Sequence, residues 1–206
     1  RRRQLMIATS AIGPGALNMV TAAGTAHANR LPVLLIAGDT FTNRLPDPVL
    51  QQLEHFSNPS LGLNDAFKAA CRYWDRVTHP AQILQTLPAA LATLLDPADC
   101  GPAFIGLPQD LQGWAYDYPA AFFEQRVHRI RRQMPDALEI ADAAALLRSA
   151  KRPVIVAGGG VQYSGAVAEL TAFAENHNIP VVETIAGRAN MLATHPLNTG
   201  PLGVTG

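Results

Sequence analysis

Cysteine is nearly missing from these 206 residues: only Cys71 and Cys100 occur. They make no metal-ligand spacing and no disulfide framework, which excludes a zinc module and a stapled secreted scaffold. Charge is also sparse. Sixteen basic residues balance sixteen acidic ones, and charged residues make up 16% of the chain. No strong field therefore exists to draw nucleic acid or an anionic membrane. No apolar run approaches the ~20 residues of a membrane span, and the N-terminus lacks a signal peptide's apolar core. With 48% hydrophobic residues, an ordinary globular protein is expected, with the cytoplasm as its compartment. Nucleophile elbow, Walker loop and zinc signature are all lacking. His27, His55, His79, His128, His177 and His195 have no partners at metal-ligand spacing, so no metal site is assigned; His27 suits the C-terminal dipole of its helix.

What is present is alternation of apolar runs and amphipathic stretches. Leu5-Met6-Ile7 leads into Ala8-Thr9-Ser10-Ala11-Ile12-Gly13-Pro14-Gly15-Ala16-Leu17-Asn18. Helical spacing then runs through Leu17, Val20, Ala23, Gly24 and His27 to Asn29-Arg30. Pro14 suits a first helical turn, so the segment reads as strand, tight turn and helix. Leu31 to Gly38 is almost continuously apolar and reads as a buried parallel strand. A βαβ unit results, and in open α/β sheets ligands gather at the carboxyl ends of the strands. A short strand around Tyr73–Val77, a helix over 80–96 and a buried strand over 102–108 follow. From Gln112 to Pro135 the period is lost among Trp114, Tyr116, Tyr118, Phe122 and Phe123, then Arg126, His128, Arg129, Arg131 and Arg132. That stretch reads as a solvated interdomain linker.

A second α/β unit starts at Asp136, an N-cap for a helix to about Ser149 with Leu138, Ala141, Ala144, Ala145 and Leu147 as core positions. Strand Val154–Ala157, Gly158-Gly159-Gly160, a helix with Val167, Leu170, Phe173 and Ala174 inward, and strand Ile179–Thr184 complete it. The fold class is thus α/β with two parallel-sheet units. Their expected bounds are 1–111, linker 112–135, and 136–206. Arg1 abuts a core strand and Gly206 ends a Gly-rich passage, so an internal fragment of a longer enzyme is expected. The triple glycine fits a dinucleotide fingerprint poorly, because Tyr163 stands where the third glycine belongs; a tight turn packing helix on strand is the simpler reading. Asp39, Glu54, Asp65 and Lys68 are ionisable groups in loops after strands, a setting more typical of caps and salt bridges than of catalysts.

The motifs together resemble thiamine-diphosphate-dependent enzymes of the acetolactate synthase type, collinearly over nearly the whole chain. Thr9-Ser10, Gly13-Pro14-Gly15 and Asn18 are similar to their TSGPGxxN turn, and Pro32–Gly38 to their PVLxIxG strand. Asp65-Ala66-Phe67-Lys68 is similar to DAFQE, and GPAFIGLPQD at 101–110 to the last strand of the pyrimidine-binding domain. Arg152–Gly160, Ile179–Thr184, His195-Pro196-Leu197 and the closing Gly-Val-Thr-Gly resemble the central domain, which is Rossmann-like. Ala11-Ile12 lengthens the turn by two residues. With 38–48, 72–76 and 96–100, that insertion resembles the branch that hydrolytically opens trihydroxycyclohexane-1,2-dione to 5-deoxyglucuronate in inositol degradation.

The resemblance implies a homo-oligomeric hydrolase using thiamine diphosphate and Mg2+, with each site completed by a second identical subunit. It places Gly13, Pro14, Gly15 and Asn18 beside the cofactor ring, and Phe67 and Lys68 toward the small-molecule dione. The activating glutamate would lie upstream of Arg1, and the GDG…N motif for metal and diphosphate downstream of Gly206. No catalytic residue or metal ligand is then expected within the chain. Other members of the family, an acetolactate synthase or a 2-oxoacid decarboxylase, are the nearest alternative. A non-catalytic nucleotide-binding module on Gly158–Glu183, with FAD as its test case, and a degenerate partner-binding subunit are the others.

Overall fold

The computed structural model describes residues 4–43, 55, 57–130 and 133–203. Arg44–Pro48, Glu54, Arg131, Arg132 and the closing Val204-Thr205-Gly206 lie outside the described residues. The chain divides into two compact units, Arg1–Ile130 and Arg131–Gly206.

The first unit is a four-stranded, wholly parallel sheet in the order β1-β2-β4-β3. Its strands are β1 (Met6–Ser10), β2 (Val33–Asp39), β3 (Tyr73–Arg76) and β4 (Ala103–Pro108). β2 and β4 are central and apolar because the pleat sends alternate residues to two covered faces. Leu35, Ala37 and Phe104 join Ala16, Ala23, Phe67 and Cys71 on one face. Leu34, Ala103 and Ile105 join Val77, Ala90 and Leu94 on the other.

The stretch after β1 forms two short helices rather than one: α1 (Pro14–Leu17) and α2 (Val20–Ala28). The break falls at Asn18-Met19, where the Met19 N–H donates to Ala16 O at 2.9 Å, an i→i+3 bond that tightens the turn. Helix α3 (Ile83–Leu95) buries Thr86, Ala90 and Leu94, one i, i+4, i+8 stripe, and is preceded by a 3-10 turn over Pro80–Gln82. His79 Nδ1 accepts from the Ala81 N–H at 3.2 Å there.

The second unit holds a three-stranded parallel sheet, β5 (Ile155–Ala157), β6 (Val181–Glu183) and β7 (Asn198–Pro201), in chain order. Its helices are α4 (Ala137–Ser149), α5 (Gly159–Ser164) and α6 (Val167–His177). Asp136 caps α4 as expected, its Oδ1 accepting from the Leu138 N–H at 2.7 Å. The expected core positions of α4 are not core: no residue of α4 is buried, and Leu138 is 76% exposed. Apolar spacing predicts a face but not that a neighbour covers it, and among the described residues none does. In α6, Ala174 is fully buried and Leu170 packs on the core, whereas Val167 and Phe173 are exposed. Among glycines, the tightest helix–strand approach is not in the triplet. A Cβ on Gly187 would stand 2.0 Å from Ala157 O, while one on Gly160 would meet nothing. Together these elements form a mixed α/β chain whose two sheets contain only parallel pairings.

Candidate functional site

All four strands of the first sheet end on one edge, and the groups that carry chemistry collect there. Gly13 follows β1 with φ 73° and ψ −128°, a conformation that a Cβ would strain. This turn aims the chain into α1 with Gly13 buried and Pro14, Gly15 and Asn18 exposed. Ile12 of this turn lies across β2: a Cβ on Gly38 would come within 3.1 Å of Ile12 N. The turn and β2 thus pack tightly at Gly38, where a side chain would make the turn give by a few tenths of an ångström.

A second piece of backbone meets α1 here. Leu63–Phe67 forms a 3-10 turn in which the Asp65 carboxylate accepts from the Gly62 N–H at 2.8 Å. Ala16 of α1 and Phe67 share one buried cluster, so the structure brings the Gly13–Asn18 turn and the 64–68 segment side by side. Phe67 is fully buried, its ring stacked on Phe104 with centroids 4.2 Å apart. Lys68 projects to solvent, 56% exposed, with Nζ 3.1 Å from Asp65 Oδ1 and 4.4 Å from the Trp74 ring centre.

Behind this surface stands an ion-pair network that sequence reasoning did not assemble. Asp39, 1% exposed at the end of β2, accepts from Arg76 Nε at 2.7 Å and from the Thr40 N–H at 2.8 Å. Arg76 also reaches Asp65 Oδ1, at the longer distance of 3.5 Å. Two glycines make room: a Cβ on Gly106 would lie 2.5 Å from Asp39 Oδ2, and one on Gly62 2.8 Å from Arg76 Nη2. Burial pushes the Asp65 carboxyl up, but the Gly62 N–H, the Lys68 ammonium and the Arg76 charge outweigh it and hold it below its ordinary 3.8. Asp39 and Arg76 are both polar residues at the ends of strands, which was the available signal for the pair. Asn64 is buried, donates to Gly38 O at 2.8 Å and lends its backbone oxygen to Trp74 Nε1 at 2.9 Å.

Next to the network is a small cavity of about 70 Å³, lined in part by Thr40, Thr42, Gly62 and Arg76. Beside it Asp110 accepts from the Thr42 N–H at 3.1 Å and the Thr42 hydroxyl at 2.5 Å. These bonds overcome burial and lower the Asp110 carboxyl. His27 sits at the end of α2 as read, and its Nδ1 also contacts Ala70 O at 3.1 Å, tying that helix to the 64–70 segment.

The second unit has an open cavity of about 680 Å³ lined in part by Glu183, Arg188, Asn190 and His195. Glu183 is 7% exposed and its Oε1 accepts from the Met191 N–H at 2.9 Å, so this carboxylate oxygen is engaged in holding its own loop. Asn190 likewise donates to Gly158 O at 2.9 Å. Among the described residues, no group of three or more His, Cys, Asp or Glu is arranged to hold a metal. No helix of the described residues is long and apolar enough to cross a membrane.

Residues 1–58 match the thiamine pyrophosphate enzyme N-terminal TPP binding domain, and residues 140–206 the thiamine pyrophosphate enzyme central domain. Proteins named 3D-(3,5/4)-trihydroxycyclohexane-1,2-dione hydrolase are similar over the whole chain. That of Geobacillus thermodenitrificans is 53% identical over 205 residues. Those of Bacillus cereus and Clostridium perfringens are each 49% identical over the same length. The chain spans about a third of these relatives, 32% of each.

Proposed function

We propose that this chain, which belongs to the thiamine pyrophosphate enzyme family, supplies half of the site of a hydrolase that opens trihydroxycyclohexane-1,2-dione to 5-deoxyglucuronate. The observation that carries the reading is the identity of 49–53% along the whole chain to hydrolases of that name. It is supported by the Gly13–Asn18 turn standing beside Lys68 at the carboxyl edge of the sheet. We assign 1–111 to the pyrimidine-binding domain, 112–135 to a linker and 136–206 to the central domain. A second identical subunit would complete the site, the cytoplasm would be its compartment, and Mg2+ and the diphosphate would be held by residues outside this chain.

The turn fits a flat heteroaromatic ring. Pro14, Gly15 and Asn18 are exposed together, with a prolyl face, a backbone free of a side chain, and one amide for hydrogen bonding. Thiamine diphosphate, when bound, supplies the carbanion-stabilising chemistry that breaking a C–C bond next to a carbonyl requires. The chain's own contribution is orientation and electrostatics. Pro14, Gly15 and Asn18 would hold the ring end of the cofactor, the Asn18 amide offering it hydrogen bonds. Phe67, locked against Phe104, anchors the turn that presents Lys68 to the dione. The Lys68 ammonium stabilises the negative charge that develops on a dione oxygen.

The test is an assay of the full-length protein with the cyclic dione and, separately, with pyruvate. Ring opening that needs added thiamine diphosphate and Mg2+, with negligible pyruvate turnover, is expected. Pyruvate turnover without ring opening would overturn the proposal in favour of an acetolactate synthase or decarboxylase.

A further inference from the structure

This inference rests on the reading that Lys68 meets the dione. An ammonium on a four-carbon stem is a mobile point charge, and it aids a reaction only where something fixes its place. Around Lys68 that support is visible. Asp65 Oδ1 holds Nζ from one side at 3.1 Å, and the Trp74 ring lies 4.4 Å from it. Trp74 is itself fixed twice: Nε1 donates to Asn64 O at 2.9 Å, and its ring runs nearly parallel to Phe104, with centroids 6.3 Å apart. Phe104 in turn stacks on Phe67, the neighbour of Lys68 in sequence.

A competitor for the same support lies close by. The Arg76 guanidinium is 5.1 Å from the Trp74 ring centre and 3.5 Å from Asp65 Oδ1, the oxygen that Lys68 uses. Its Nε bond to buried Asp39 at 2.7 Å draws it the other way, and Gly106 leaves the space for that bond. We propose that Asp65 and Trp74 are positioning residues for Lys68, and that Asp39 acts one step further back by restraining Arg76. None of the three needs to touch substrate; they act through the place of one ammonium.

The experiment is steady-state kinetics of the full-length enzyme on the cyclic dione. Asp65→Asn and Trp74→Leu are each expected to lower kcat roughly tenfold, as typical of residues coupled through direct contact, with KM nearly unchanged. Trp74→Phe, which keeps an aromatic face, recovers most of that loss. Adding Asp65→Asn to Lys68→Met costs nothing further. Far-UV circular dichroism and thiamine diphosphate affinity stay at wild-type values in all five variants, the double one included. If Asp65→Asn lowers kcat equally with Lys68 present or replaced, positioning is overturned while the substrate-facing role of Lys68 stands. Full activity in Lys68→Met overturns both. Should Asp65→Asn fail to fold, Trp74→Leu against Trp74→Phe decides: equal losses, or none, refute positioning.

Discussion

Replacing Asp39 with asparagine keeps the shape of a buried side chain and removes its charge. In the native chain its two oxygens accept from Arg76 Nε at 2.7 Å and the Thr40 N–H at 2.8 Å. The asparagine carbonyl can keep the Thr40 bond, but its amide presents donors to a guanidinium that has only donors. Breaking a well-buried ion pair costs about 3–5 kcal/mol. Arg76 is 21% exposed and retains Asp65 and Trp74 as neighbours, so the expected cost falls to about 2 kcal/mol. For a unit of this size that is a fall in Tm of roughly 5–10 °C. Within these 206 residues both tryptophans, Trp74 and Trp114, lie in the first unit, so the fluorescence of this chain reports the unfolding of that unit. Urea titration followed by fluorescence measures the change. A loss under about 0.5 kcal/mol, the range of an ordinary surface substitution, would refute the claim that this pair holds the edge of the sheet. Gly106→Ala perturbs the same pair from the other side, since its Cβ would lie 2.5 Å from Asp39 Oδ2.

Gly187→Ala should destabilise the second unit by about 2 kcal/mol or more, because backbone must move to admit the methyl; Gly160→Ala, in a helix with open space around it, should be neutral to stabilising by up to ~1 kcal/mol. Far-UV circular dichroism during urea unfolding separates the two, with tryptophan fluorescence unchanged in both. Burial pushes the Cys71 thiol up to about 12 from 9.0, so the folded state keeps a proton that the unfolded state releases. Its contribution to stability is complete below pH 9 and is lost between 9 and about 12, and a thiol reagent at pH 8 should label Cys71 only after denaturant is added. Asp65 and Asp110 are held below 3.8, so they favour folding above that value. That contribution disappears as pH falls through their lowered values, and Asp110→Asn should flatten the fluorescence-detected acid transition.

Much of the first unit was legible because a short, nearly continuous apolar run such as Leu31–Gly38, bounded by Pro32 and Gly38, favours a strand covered on both faces. The order β1-β2-β4-β3 was not, since nothing local tells β4 to sit between β2 and β3. That order creates the site's support by bringing Phe104 beside Trp74. The resemblance of 65–68 to a substrate-facing motif located the segment, but burial divides its members: Phe67 is inside and Lys68 outside. Asp39 and Asp65 have the setting of cap and salt-bridge charges, and the structure gives them those partners, Arg76, Lys68 and the Gly62 N–H. Glu54, a third loop carboxylate of that kind, lies outside the described residues. The helix α4 shows the opposite failure, a clean apolar spacing with no buried residue, because periodicity records a face and not its neighbour.

A crystal structure of the full-length protein with thiamine diphosphate and an unreactive dione analogue tests the central claim most directly. The account predicts the cofactor ring in van der Waals contact with Pro14, Gly15 and Asn18 of one subunit, and an analogue oxygen within hydrogen-bond distance of Lys68 Nζ. A ring bound away from that turn, or an analogue whose oxygens are met by other cations while Lys68 points to solvent, would contradict it.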